Sequence, residues 1–247
     1  MRLLFCSVNG GCVRLDRFIV SCGVASRKEA AIAAKRGEIT VNGASVRSAD
    51  IKINENTDEV CFKGEKLIYR EFTWLMLNKP QGVISATEDA KGQVTVIDLL
   101  PERLQKIGLF PCGRLDGDTT GLVLLTNEGE LAHRLLSPKC HVDKIYRFTS
   151  ARRITEDEIQ SAANGLTLGD GYECLPAIIV PDSEGEGGTI TLKEGKYHQI
   201  KRMFGAMNNR ITSLRRISFA EIELPSDLPE GEWRYLTDEE LSILRDR

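Results

Sequence analysis

The chain is poor in the residues from which metal centres and disulfide frameworks are built. Its 247 residues include only three histidines, His133, His141 and His198, which argues against a histidine-rich metal site. Seven cysteines (Cys6, Cys12, Cys22, Cys61, Cys112, Cys140 and Cys174) are scattered with no C-x-x-C pair. An odd, dispersed set points to reduced thiols and away from both a disulfide framework and a zinc site. Cys112 reads as a small core hydrophobe rather than a nucleophile. No apolar run approaches the roughly 18 residues that span a bilayer. The mildly apolar residues 1–8 have too short a core, and no convincing cleavage site follows, for a secretion signal. A cytoplasmic location without membrane association is therefore expected. No phosphate-cradling P-loop, internal repeat or low-complexity tract is present, so neither a metal nor a cofactor is implied. With no exposed heptad or long apolar patch, a monomer is expected.

What is present is an ordinary globular composition, 41% hydrophobic and 28% charged. The length suits one large domain, or a small domain followed by a larger one. The net charge of −3 is unevenly spread. Residues 14–70 carry 11 basic and 8 acidic side chains, whereas residues 71–247 carry 21 and 28. A basic end on an acidic body suggests electrostatic docking by the first part.

Residues 13–70 read as one compact unit, preceded by an extension at 1–12. Leu15, Phe18, Ile19 and Cys22 fall on one helical stripe, predicting a helix over 14–22 that Gly23 ends. Ser26 and Glu29 form a capping box for a second helix, 27–36, which stops at Gly37. Residues 38–41 read as a strand, Asn42-Gly43 as a tight hairpin turn, and 44–46 as the return. A second strand pair is expected within 51–66. The two helices carry Arg14, Arg17, Arg27, Lys28, Lys35 and Arg36 against Asp16 and Glu29 alone. A basic helix face is usually only solvated, but a unit this small has too little core for chemistry of its own. A phosphate-binding module is the better reading. Through Arg14-Leu15-Asp16, Gly23, Ser26-Arg27, Glu29-Ala30, Gly37 and Val41-Asn42-Gly43, the unit resembles the small RNA-binding domain of ribosomal small-subunit protein four. That resemblance implies docking to structured RNA by shape and phosphate contacts.

The pattern changes around residues 69–71, and a larger domain over 71–247 follows. Strands are predicted at 72–77, 121–126, 144–149, 177–180 and 189–192, and helices at 95–100, 130–136, 155–164, 198–207 and 237–245. Strands and helices do not strictly alternate, which favours an α+β class with a mixed sheet.

One loop holds the most chemistry, Gly113-Arg114-Leu115-Asp116-Gly117-Asp118-Thr119-Thr120-Gly121, feeding the apolar run Leu122-Val123-Leu124-Leu125. Alternation puts Arg114 and Asp116 on one face and leaves Leu115 as anchor. Alone, the loop reads better as a plain turn, with Asp118 serving the turn itself. Three other segments supply partners for it. Asn78-Lys79-Pro80-Gln81-Gly82 follows a buried strand. Lys144-Ile145-Tyr146 places lysine and tyrosine on one strand face. In Glu194-Gly195-Lys196-Tyr197-His198-Gln199-Ile200-Lys201-Arg202-Met203, Lys201 borders the stripe of Ile200, Met203, Phe204 and Met207 and can reach a cleft, while Arg202 faces away. Singly, these are a turn, a core aromatic with a wet tip and a snorkelling lysine.

In order and spacing, the four segments resemble the pseudouridine synthases, most closely the RsuA-like branch that modifies ribosomal RNA and carries the same small N-terminal domain. The ending 225–241, with Pro229-Glu230-Gly231-Glu232-Trp233-Arg234 and Leu236-Thr237, fits as well. The resemblance implies a small α/β RNA-binding domain followed by a catalytic domain with a mixed, mostly antiparallel sheet flanked by helices. It makes Asp116 the catalytic aspartate, Tyr146 the ring stacked on the target uracil, Lys201 the cationic partner of Asp116, and Arg114 the side chain filling the space of the flipped nucleotide. Many relatives have arginine where Lys201 stands, and a lysine, as a point charge, fixes the pairing less tightly. The expected activity is isomerisation of one uridine in small-subunit (16S) ribosomal RNA, presented in a partly assembled small subunit. A large-subunit target, or a non-catalytic RNA-binding assembly factor, are the rival readings. The reaction suits these residue types, because the base must leave the stack and an ionised carboxylate must attack the sugar or take its proton. Tyr146 is the candidate base for the carbon-5 proton. A hydrolytic glycosidase would need two opposed carboxylates.

Overall fold

A computed structural model of the protein describes residues 12–70 and 72–247. The chain forms two compact units, one of residues up to Thr73 with Leu100–Leu109, the other of Trp74–Leu99 with Phe110–Arg247. Expectations for residues 1–11, and for the join at Glu71, fall outside the described residues.

In the first unit, β1 (Cys12–Arg14) leads into α1 (Leu15–Ser21), whose Leu15, Phe18 and Ile19 are buried with Cys22, as their spacing requires. Helix α2 (Arg27–Arg36) starts at the predicted capping box. Ser26 Oγ accepts from the Glu29 amide at 3.3 Å, and the Glu29 carboxylate accepts from the Ser26 amide at 2.7 Å. Such a cap contributes about 1 kcal/mol. Strands β2 (Ile39–Val41) and β3 (Ala44–Ser45) join through Asn42-Gly43, both left-handed, as a type I′ hairpin requires. The expected second pair within 51–66 resolves differently. β4 (Lys52–Asn54) pairs with β1, while β5 (Val60–Phe62) pairs with β2 and β6 (Glu65–Lys66). The amides of Leu15 and Asp16 bond to the carbonyls of Ile51 and Ala49, which binds the segment before β4 to the start of α1. A four-residue helix, α3 (Glu102–Gln105), belongs to this unit.

The second unit contains β7 (Trp74–Lys79), β8 (Phe110–Cys112), β9 (Thr120–Thr126), α4 (Gly129–Leu136), β10 (Lys144–Ser150), α5 (Glu156–Asn164), β11 (Ile178–Pro181), β12 (Gly187–Leu192), α6 (Gln199–Ala206), β13 (Ile211–Phe219), β14 (Ile222–Glu223), β15 (Trp233–Tyr235) and α7 (Asp238–Arg245). One nine-stranded sheet runs β11-β12-β10-β13-β9-β7-β15, with β14 on β13 and β8 on β9. Every pairing is antiparallel except β9 with β13, so the sheet is mixed and mostly antiparallel. Leu122 to Leu125 of β9 are wholly buried, each worth roughly 1.5–3 kcal/mol. They fix the strand from which the Asp116 loop springs.

Several expectations are corrected. Residues 95–100 form no helix, because the Thr95 amide and hydroxyl both bond to the Asp98 carboxylate at 2.8 and 2.9 Å and close a turn. Strands β8, β13, β14 and β15 and helix α3 were not foreseen. Cys22, Cys61, Cys112, Cys140 and Cys174 are free thiols, but Cys12 is disulfide-bonded, against the expectation of reduced cysteines throughout. Burial pushes the Cys112 thiol up to about 12, in keeping with a core role. Among the described residues, no helix is long and apolar enough to cross a membrane.

Candidate active site

The loop before β9 is held by its backbone. Ser85 Oγ accepts from the Leu115 amide at 3.0 Å and donates to the Leu115 carbonyl at 3.1 Å, with Leu115 buried as the expected anchor. The Gly82 amide bonds to the Gly117 carbonyl at 2.7 Å, and the Thr119 amide closes a turn on the Asp116 carbonyl at 3.1 Å. At the loop's end, Gly121 has φ +97° beside β13, where a Cβ would lie 2.2 Å from the Arg216 carbonyl oxygen. Only glycine fits there.

Arg114, Asp116, Tyr146 and Lys201 line one pocket of about 80 Å³, with Leu192 and Leu214 as apolar walls. Asp116 is part-exposed, and its Oδ2 accepts from Lys201 Nζ at 3.1 Å. Tyr146 is buried in the wall, inward on β10 beside Lys144, as the alternation required. Arg114 is exposed and lines the pocket with Asp116. Arg202 points elsewhere and pairs with Asp170. Among the described residues, no cluster of three or more His, Cys, Asp or Glu could hold a metal ion.

Asp118 does more than serve the turn. Lys201 Nζ bonds to Asp118 Oδ1 at 2.6 Å, closer than to Asp116, because the Asp116–Thr119 turn brings both carboxylates to one side. The bond from Lys201 holds the Asp118 carboxyl below its ordinary range, against burial. Burial acts to lower the Lys201 pKa, but the bonds to Asp118 and Asp116 outweigh it, so the ammonium is stabilised. His198 was also missed. Its Nε2 lies 3.4 Å from Asp116 Oδ1, its ring stacks on Tyr197 at 3.8 Å, and it takes a left-handed φ of 49° at the head of α6. The signal available in the sequence was its place immediately before the helix that carries Lys201.

Beneath the loop, Lys79 at the end of β7 is fully buried, and its Nζ donates to the carbonyls of Pro80 at 3.0 Å and Gly117 at 3.3 Å. What read as a plain turn is thus a charged tether under Asp116. Burial brings the Lys79 ammonium down to about 8, although Asp118, Asp116 and Glu230 oppose the shift. Between about pH 8 and the ordinary lysine value of 10.5, the unfolded chain holds a proton that the folded protein has lost. Stability therefore rises with pH across that window, by on the order of 3 kcal/mol in full. Urea unfolding at pH 7.5 and 9.5 should show a gain in wild type that Lys79→Met lacks; equal gains in both would refute the assignment.

In the first unit, Arg14, Arg17, Arg27, Lys28, Lys35 and Arg36 are all exposed. Arg14 is committed to Asp16 through a bidentate pair at 3.0 and 2.9 Å. The other five have no ion-pair partner among the described residues.

Comparison with known proteins identifies the family. Residues 73–206 match the RNA pseudouridylate synthase family. The uncharacterized RNA pseudouridine synthase YtzG of Bacillus subtilis is 42% identical over 237 residues, 95% of this chain and 99% of that protein. The ribosomal small subunit pseudouridine synthase A of Escherichia coli is 36% identical over 231 residues, 93% of this chain and 99% of that one. A pseudouridylate synthase crystal structure, 36% identical, superposes with a TM-score of 0.66 over 94% of this chain and 99% of that chain. With these matches spanning nearly its whole length, the chain belongs to the RNA pseudouridylate synthase family.

Proposed function

We propose that the protein converts one uridine of small-subunit (16S) ribosomal RNA to pseudouridine, on a partly assembled small subunit in the cytoplasm, acting as a monomer. The observation that carries this reading is the Asp116 carboxylate, 3.1 Å from Lys201 in a pocket shared with Tyr146 and Arg114. The names of relatives such as the ribosomal small subunit pseudouridine synthase A of Vibrio vulnificus, 38% identical over 93% of this chain, support the choice of RNA.

In this reading Asp116 attacks the anomeric carbon or takes a proton from the sugar, with Lys201 Nζ 3.1 Å from its carboxylate. The bond from uracil nitrogen-1 to the sugar breaks. The ring turns, carbon-5 joins the same sugar carbon, and the carbon-5 proton leaves as nitrogen-1 gains one. Tyr146 stacks on the extruded base, with its hydroxyl as the candidate base at carbon-5, and Arg114 occupies the gap left in the RNA. The five uncommitted cations of the first unit dock the RNA through phosphates.

Pseudouridine mapping in ribosomal RNA from cells lacking the protein tests the activity and the target together. One 16S site should vanish and return with the wild-type gene. Loss of a large-subunit site instead would move the substrate, and loss of none would leave an assembly role. For the docking unit, Arg27→Glu with Lys28→Glu should weaken RNA binding about tenfold or more and flatten its salt dependence. Unchanged affinity in a folded variant would remove that role.

A further inference from the structure

Beside the Asp116 pocket lies a second cavity of about 390 Å³, and the two share Arg114, Tyr146 and Lys196 in their walls. Five cations line it, Arg114, Lys144, Lys193, Lys196 and Arg216, against one carboxylate, Glu194. That carboxylate is already saturated. It accepts from the Tyr172 hydroxyl at 2.6 Å, the Leu175 amide at 2.9 Å and the Gln199 amide group at 2.6 Å.

Two of the cations are built into the protein rather than laid on it. Arg216, on β13, is 2% exposed, and Lys144, on β10, is 9% exposed. Both lean over the Phe219 ring, with Cζ of Arg216 at 5.3 Å and Nζ of Lys144 at 5.6 Å from its centroid. Each is held by a neutral acceptor only. Arg216 Nε donates to the Leu122 carbonyl, and Lys144 Nζ donates to the Val142 carbonyl, both at 2.7 Å. Arg216 Nη2 is buried without a hydrogen-bond partner. Neither side chain has an ion-pair partner among the described residues. Asp143 and Glu194 are the acids that influence Lys144. Burial, and then Arg216, hold the Lys144 ammonium down to about 8.

Burying two adjacent cations without an anion is costly, and an orphaned guanidinium donor adds to the cost. A buried arginine is suited to an oxyanion, because its planar fork matches phosphate geometry and its charge persists at any working pH. We propose that this cavity binds a backbone phosphate of the RNA, beside the nucleotide presented to Asp116, through Arg216 and Lys144. The proposal rests on reading the protein as an RNA-modifying enzyme. It adds a grip separate from the Asp116–Lys201 pair, with Tyr146 as the wall between phosphate and base.

The first arm uses inorganic phosphate on the full-length protein. Millimolar phosphate should raise the melting temperature saturably above that in chloride of equal ionic strength. Lys144→Met should abolish the response and Lys144→Arg should retain it. Identical melting of wild type in phosphate and chloride would overturn the site, whatever the variants do. The second arm uses purified 16S ribosomal RNA. Lys144→Met should bind about tenfold more weakly, with a salt slope smaller by about one, and phosphate should compete with RNA for wild type only. If uridine monophosphate gives the Lys144-dependent stabilisation while RNA affinity and slope are equal in both proteins, the anion is a free metabolite and the RNA assignment is overturned. Neither arm reads pseudouridine formation, so a failure of the Asp116 assignment would leave these results intact and distinguishable.

Discussion

Asp116→Asn should yield a folded protein that binds RNA but forms pseudouridine at least roughly 10⁴-fold more slowly than wild type, the scale of losing a residue that makes or breaks covalent bonds. Asparagine keeps the shape and can still accept from Lys201, so the change removes the charge and little else. The loop should survive, because its geometry comes from the backbone bonds at Leu115, Gly117 and Thr119 and not from the carboxylate. The informative control is Asp118→Asn. Asp118 has the shorter bond to Lys201 but is the more exposed of the two acids, its side chain 63% accessible against 29% for Asp116. Its loss should cost no more than about tenfold, through a Lys201 left to Asp116 alone. Single-turnover formation of pseudouridine in 16S RNA separates the cases. Near-wild-type rates in Asp116→Asn would end the assignment, and a larger loss in Asp118→Asn would transfer it to the other carboxylate.

Gly121→Ala should be among the most damaging single methyls in the sheet. The residue sits at φ +97°, and a Cβ would meet the Arg216 carbonyl oxygen at 2.2 Å and its amide nitrogen at 2.9 Å. Both obstacles are backbone of the strand paired with it, so no side-chain rotation relieves them. The strained φ alone costs on the order of 1–3 kcal/mol, and forcing β9 from β13 should bring the total to about 4 kcal/mol or more, in the exceptional range for point changes. Gly117→Ala is the comparison. Its nearest neighbour would be the Ile84 Cγ2 methyl at 4.0 Å, an ordinary contact, and its cost should stay near the typical 1 kcal/mol. Urea midpoints for the two variants decide the matter; equal shifts would show that the β9–β13 approach is not tight.

Which parts of this molecule could be read from its residues follows from where local signals are strong. Helix α2 was legible to its ends because Ser26, Glu29 and Gly37 punctuate it. Strand β10 was legible because its inward positions alternate strictly, and that alternation also placed Tyr146 and Lys144 on one face. Strand β13, the longest and most central, was not. Its inward positions include Leu214, Arg216 and Ser218, and a buried arginine and serine erase the apolar alternation that marks a half-buried strand. The same residue that hid the strand lines the cationic cavity. Residues 95–100 misled in the opposite way, since Thr95 and Asp98 make a helix-like start that closes on itself as a turn. At the site, the pairing of Asp116 with Lys201 was foreseen from motif order. Lys201's second bond to Asp118 and the approach of His198 depend on how a turn and a helix start are set in space.

The single parallel pairing of the sheet has a consequence for synthesis. Strand β9 gains its neighbour β13 only after a long stretch of intervening chain, Arg216 and Leu122 being 94 residues apart. A connection of that length forms late in folding, and in a chain emerging from its N-terminus the Asp116 loop is made long before the strand that closes against Gly121. Nascent chains that stop short of β13 should therefore carry Asp116, Tyr146 and Lys201 and yet be inert. The first unit, whose last segment ends at Leu109, can fold well before that point. The order of emergence thus completes the basic first unit before the sheet that carries the Asp116 loop can close.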